Sequence, residues 1–572
     1  MLAALVAAGC KSPKSTGNTR KAPAGSGGPL FANEADKMRF DALFFEGNKD
    51  KQLGRYEEAA QNFEQCLKIT QKVADVYYQL YLCYMQTRKP GVLPYLDKAI
   101  ELSPKNVWYL EEKALLLKSF RKNADAAAIF IQLIELSPET ADHYDNAAEQ
   151  LVLASKPLDA IAILDKMEAR FGLSEEVVRK KEDLYLYMNK PEKAIEEVQK
   201  LVNSVPGNTD YLGMLAELYV VIGKKDKALE YYNKILAIEP ENGRAHFGLA
   251  NIYRQEGDSA NVINELKLAF KDKEVSLKDK IDVILSMAPL GDNNLEYRKQ
   301  VFELAEIAVE KHPDQPQSHA IYADLLFGDK QYVKAAEQYK ITLTLDNNNF
   351  KVWQQLLACY EEAGDYKNLH DESDKALELF PNRVVLYYYN ANASYQQKNY
   401  KKAASTAQAG IDLGIGDNFV NMGLYTIAGD AYYKLQEYLL CYASLESALA
   451  IDGNNAYVLN NYAYYLSQQE QQLEKALSMA KKAVELKPNE AAYLDTYGWV
   501  LYKSSLYEEA LTYIEKALAL SPTDGDILEH LGDVYYQLGN KDKAVEYWRK
   551  AKQSGNPSAQ LDKKINEGKL SD

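Results

Sequence analysis

The sequence predicts an all-α fold, a solenoid of stacked helical hairpins. Three observations carry that expectation. The stretch 489–551 falls on itself when shifted by 34 residues: Leu494 meets Leu528, Tyr497 meets Leu531, Gly498 meets Gly532 and Leu501 meets Tyr535. Ala510 then meets Ala544, Ile514 meets Trp548, Ala517 meets Ala551, and Pro522 lies 34 after Pro488. Inside this unit the apolar and small residues keep helical spacing, at 494, 497, 498 and 501 and again at 510, 514, 517 and 518. A hairpin of two such helices cannot bury both faces alone. It needs neighbours of the same kind, and stacked neighbours make a solenoid.

Within the unit each part has a reason. The polar stretch 503–505 separates the two stripes and reads as the turn. Gly498 and Ala510 lack bulk, so the two helices can approach closely there. Pro522 cannot continue a helix and marks the end of the second one.

Gly532, Tyr535, Ala544, Trp548 and Ala551 are the residues by which this unit resembles the tetratricopeptide repeat (TPR) family. The resemblance implies a right-handed α-solenoid of about fifteen helix-turn-helix units. It identifies a fold and says little of function, because such repeats are binding scaffolds.

Composition narrows the function classes. There are 67 basic and 82 acidic residues, a net charge of −15, which argues against general nucleic-acid binding. Tyr is abundant at 43 residues, and many fall on packing positions of the repeat. Of the five cysteines, Cys66, Cys83, Cys359 and Cys441 sit on or beside helical packing positions without metal-like spacing and read as buried free thiols.

Taken in order, residues 1–10 read MLAALVAAGC. A short apolar run ending Ala-Ala-Gly-Cys resembles a bacterial lipoprotein signal, in which the Cys becomes lipidated; Ala7 departs from that pattern, where Leu is usual. The resemblance implies a lipid on Cys10 and a place in the cell envelope, at the outer membrane facing the periplasm. Residues 11–32 are polar and rich in Gly, Pro and Ser at first, a composition that cannot pack a core and suits a flexible tether. An N-terminal TPR block is expected over 33–270, with Pro104, Pro138, Pro206 and Pro240 on one 34-residue grid and Gly172 on the vacant node. The grid slips over 271–312, a degenerate repeat or joint with helices expected at 276–287 and 295–311. A C-terminal block follows over 313–551, with a second slip at 410–420. Residues 552–572 are expected to form a capping helix and tail.

No catalytic constellation stands out. The phosphate-binding glycine loop, the dinucleotide fingerprint, the HExxH zinc motif and the GxSxG elbow are absent. The six histidines are scattered over separate repeats and read as surface or packing residues. The sequence thus predicts no enzyme, no cofactor and no metal.

What a solenoid offers is a concave groove lined by the first helix of each repeat. The family's inward-facing positions carry over to Tyr388, Asn392 and Tyr395; Asp430 and Tyr433; Asn460 and Tyr464; Asp495, Trp499 and Tyr502; Glu529, Asp533 and Tyr536. Rings of this kind bring large contact area at few rotors. TPR domains that hold chaperone tails clamp a terminal carboxylate with Lys, Arg and Asn, and those positions hold Asp, Thr, Glu and Tyr here. A neutral or basic partner segment suits such a groove. The sequence therefore reads as a non-catalytic scaffold binding other proteins or peptides, lipid-tethered in the envelope with an outer-membrane assembly or secretion role. A soluble cytoplasmic adaptor and a non-catalytic subunit of an enzyme are the alternatives it leaves open.

Overall fold

The computed structural model describes residues 29–291, 294–554 and 560–570. Cys10, the signal-like stretch and most of the expected tether lie outside the described residues. Among the described residues there are 31 α-helices, one 3-10 turn and no strand. No helix among them is long and apolar enough to cross a membrane. The chain is an all-α solenoid of TPR units. Counted along the chain, thirty of the helices alternate as first and second members of fifteen pairs, and the short helix Leu561–Glu567 follows the last pair.

The packing inside a pair has one recurring cause. A small residue on the first helix lies under a large side chain 16 residues on. A Cβ placed on Gly47 would sit 2.8 Å from the Phe63 ring, on Gly429 2.7 Å from Leu445, on Gly498 2.4 Å from Ile514 and on Gly532 2.4 Å from Trp548. The large partners Phe63, Leu445, Ile514 and Trp548 are all 0% exposed. The helices touch because the first one has no side chain at the crossing point.

The turn between the two helices of a pair is closed by one left-handed residue. Glycine serves at Gly54, Gly223, Gly364 and Gly539, but Arg121, Ser155, Asn189, Lys330, Lys398 and Ser505 adopt the same positive φ. Each non-glycine residue accepts about 1 kcal/mol of strain there. The turn geometry is thus imposed by the packed helices.

The chain forms two compact units, divided between Glu256 and Gly257. The first holds the helices from Glu34–Gln52 to Gly243–Glu256; its core is built from residues such as Leu110, Phe130, Leu164, Leu215 and Tyr232. The second holds the helices from Ser259–Lys271 onward. The irregular segment 271–312 lies inside the second unit. It comprises Leu277–Met287, a 3-10 turn Ala288–Gly291, and Leu295–Lys311. Ser276 and Asn294 cap the two helices by accepting from the backbone N–H groups of Asp279 and Tyr297. At the second slip the helix Tyr400–Asp412 runs two residues beyond Gly410, and the next, Asn418–Lys434, is lengthened to 17 residues.

Cys66, Cys83, Cys359 and Cys441 are free and buried. Burial pushes their thiols up to about 11 for the first two and about 12 for the others.

Candidate functional site in the C-terminal groove

The groove residues come from the first helices of the last pairs. Asn455 opens Ala456–Gln468 by accepting from the Val458 N–H, and Asp524 opens Gly525–Gln537 by accepting from those of Asp526 and Ile527. These caps fix the register in which the inward positions face one hollow. The hollow holds about 660 Å³ and is lined by residues of Ala456–Gln468, Ala491–Lys503, Gly525–Gln537 and Leu561–Glu567.

Its centre is a stack of rings. Trp499 lies face to face with His530, centroids 3.9 Å apart, and with Tyr502 at 4.8 Å. Asp495 orients the imidazole, its Oδ2 lying 2.9 Å from His530 Nδ1. Burial alone would favour the neutral imidazole, but the carboxylates of Asp495, Asp533 and Asp526 prevail and hold His530 above its usual range. At one end Lys564 Nζ donates to Glu529 Oε1 at 2.8 Å and to both oxygens of Asp533 at 2.8 and 2.7 Å. Trp548 Nε1 donates to the same Asp533 carboxylate at 2.8 Å. Burial raises the Asp533 carboxyl in spite of these donors, and it raises that of Asp526. The lining carries five carboxylates, from Asp495, Asp524, Asp526, Glu529 and Asp533, against the two lysines Lys503 and Lys564. Two buried polar atoms of the lining residues, Trp499 Nε1 and Asn460 Oδ1, have no hydrogen-bond partner. Among the described residues no group of three or more His, Cys, Asp or Glu is placed to hold a metal ion.

Models described as tetratricopeptide repeat match residues 47–73, 183–242, 215–261 and 497–559. Over these stretches the chain is built of tetratricopeptide repeats. Among curated proteins this TPR chain is similar to sperm-associated antigen 1 of Rattus norvegicus, 29% identical over 108 residues. That alignment spans 19% of this chain and only 12% of the relative. Among solved structures it resembles the APC/C hetero-tetramer Cut9–Hcn1, at 13% identity and TM-score 0.38, covering 81% of this chain and 96% of that one. It also resembles Naa15/Naa10 bound to HypK-THB, at 14% identity and TM-score 0.36, covering 93% and 91%.

The inward positions expected from the TPR pattern divide into two sets. Asn460, Tyr464, Asp495, Trp499, Tyr502, Glu529 and Asp533 line the one hollow. Tyr388, Asn392, Tyr395, Asp430, Tyr433 and Tyr536 do not line it. Several of these join neighbouring helices. Asn392 Nδ2 donates to Glu361 at 2.7 Å, and Asp430 is 3% exposed, accepting from Tyr465 at 2.9 Å and Tyr457 at 3.0 Å. Tyr433 stacks on Tyr465 at 3.7 Å, and Tyr536 lies against Trp548 at 5.9 Å. Trp499 itself is only 8% exposed, since its ring is spent on stacking.

Sequence reasoning missed His530 and Lys564. The signal that finds them is a spacing of 35. Asp495–His530 and Glu529–Lys564 are both 35 apart, as are Asp145–Lys180 and Asp430–Tyr465. One repeat plus one residue reaches the adjacent first helix, so a charge pair at i, i+35 is a contact across the groove. By the same register Leu561 and Lys564 stand 34 after Ile527 and His530. The helix Leu561–Glu567 therefore occupies the register of a further first helix, cut short.

Proposed function

We propose that this protein is a non-catalytic interaction scaffold whose C-terminal groove holds a basic segment of a partner protein, and that a lipid on Cys10 tethers it in a bacterial envelope. The groove reading rests on one observation. A hollow floored by stacked Trp499 and His530 carries five carboxylates against two lysines and that histidine. The carboxylates then select Lys or Arg on that segment. The tether reading is supported by the Ala-Ala-Gly-Cys ending of residues 1–10 and the composition of the stretch that follows. An outer-membrane assembly or secretion role is the setting this combination suits.

A photoreactive amino acid at Gln468, which lines the hollow, tests the first part. The expected crosslink is to a Lys- or Arg-rich segment, and it is lost on Asp526→Asn. Crosslinks to acidic segments, or crosslinks indifferent to Asp526, would overturn the reading. For the tether, cells expressing the native gene with its upstream DNA are fed a clickable fatty acid. Label is expected on the wild type and not on Cys10→Ala; an unlabelled, soluble wild type would remove the envelope assignment.

A further inference from the structure

We infer that the first unit carries a second docking groove, which takes a basic amphipathic segment of a partner protein anchored by aliphatic side chains. This inference uses other residues in another unit and does not rest on the reading of the C-terminal hollow.

The groove lies between the helices Ala141–Leu153 and Glu175–Tyr187, where a cleft of about 480 Å³ is floored by the buried Leu164 and Leu184. Lys180 Nζ bonds Asp145 at 2.6 Å and ties the two helices together at one end. Leu153, which lines the cleft, belongs to an exposed apolar repeat position. Leu153, Tyr187 and Val221 are the last residues of three successive first helices, 34 apart, and are 57%, 81% and 64% exposed. Single exposed apolar residues are ordinary. Three exposed at one repeat position, the first of them lining an apolar cleft, are a pattern that the unit's own packing does not explain.

One helical turn before each of them stands a carboxylate: Glu149, Asp183 and Glu217. Lys118 reaches Glu149 at 2.6 Å. Asp183 has no ion pair among the described residues, while the guanidinium groups of Arg244 and Arg179 draw on Glu217. Surrounding protein raises the Glu217 carboxyl against these two charges although water reaches it, and it pushes neighbouring Glu182 up to about 7 against Arg179, with the charges of Asp183 and Glu217 adding to the rise. An apolar cleft whose lining carries three carboxylates, Asp145, Glu149 and Asp183, against the one lysine Lys180 is complementary to aliphatic residues alternating with Lys or Arg at helical spacing. A second copy of this chain, with its net charge of −15, is a poor match. An anionic lipid surface is repelled by the same carboxylates.

The test is fluorescence anisotropy on the full-length chain. The probe is a fluorescein-labelled peptide about five helical turns long, Leu on one face and Lys on the other, with a twin carrying Glu for Lys. The Lys peptide is expected to bind and its Glu twin not. Leu153→Ser with Tyr187→Ser should weaken binding by about ten-fold or more while leaving the helical circular dichroism unchanged. Asp183→Asn with Glu217→Gln should flatten its salt dependence. Asp526→Asn, in the other groove, should leave the affinity unchanged, which separates the two sites. The inference is overturned if the Lys peptide does not bind, if the Glu twin binds equally, or if the Leu153/Tyr187 variant keeps full affinity.

Discussion

Lys564→Met removes one ammonium from the end of the C-terminal hollow and keeps the methylene stem that packs beneath it. In the wild type that ammonium makes three contacts of 2.7–2.8 Å to Glu529 and Asp533, and the three side chains are 7%, 11% and 6% exposed. Breaking a buried pair from one side leaves uncompensated charge and costs about 3–5 kcal/mol. The hollow is open at its mouth and Trp548 still donates to Asp533, so the lower end applies, about 3 kcal/mol. In a solenoid the loss appears as opening of the terminal pair before the rest unfolds. Hydrogen exchange of the helices Gly525–Gln537 and Lys541–Gln553 should therefore accelerate by roughly a hundred-fold. The effect also has a pH sign. The Asp533 carboxyl is raised by burial, so its charged form is the unfavourable one in the fold. Protonation on acidification relieves it, and the cost of Lys564→Met should be smaller at pH 5 than at pH 7. A cost below about 1 kcal/mol, or one equal at the two pH values, would refute the reasoning.

Three further outcomes are expected. Gly498→Ala and Gly532→Ala force a Cβ to 2.4 Å from Ile514 and Trp548, and each should lose about 2 kcal/mol by urea denaturation after about 1 kcal/mol of helix propensity is regained. Gly328→Ala meets nothing within 4 Å and should instead gain up to about 1 kcal/mol; equal stability of all three would contradict the close-approach account. His530 should keep its proton above the ordinary imidazole range in an NMR titration, and Asp495→Asn should bring it down. Its contribution to stability is then full below the unfolded-state pKa and lost as pH rises through the folded one. In the irregular segment, Lys280 is 0% exposed, with Nζ 2.7 Å from the Asp272 carbonyl oxygen and 2.8 Å from His312 Nε2. Burial lowers Lys280 to about 8 and lowers His312 as well. Both groups favour their neutral forms in the fold, so the local stability of 277–311 should rise with pH between about 8 and 10 and fall below about 6.5. Hydrogen exchange corrected for intrinsic rates would show it, and protection insensitive to pH would contradict the buried amine.

Much of the fold is legible in the sequence, for a physical reason. The 34-residue grid records the pairing of Gly498 with Ile514 and Gly532 with Trp548, a steric requirement met again at Gly47 with Phe63 and Gly429 with Leu445. The turns are less legible, because Arg121, Ser155 and Ser505 take the left-handed conformation that glycine usually marks. The groove positions were legible as a face but not as a site. Asn460, Asp495 and Trp499 line the hollow, while Asp430, at an equivalent repeat position, is buried under Tyr465 and Tyr457. Which inward residue lines the hollow depends on the side chain that the next repeat brings 35 residues later. A lone histidine such as His530 carries no signal until Asp495 is placed against it.

The proposed selectivity of the C-terminal hollow for a basic segment has a direct test. Selection of a random peptide library on the full-length chain, run in parallel on a Tyr464→Ala/Asp526→Asn variant, addresses it most directly. Peptides enriched on the wild type and depleted on the variant are expected to carry Lys or Arg. Enrichment of acidic peptides, or an enriched set shared equally by both proteins, would contradict it.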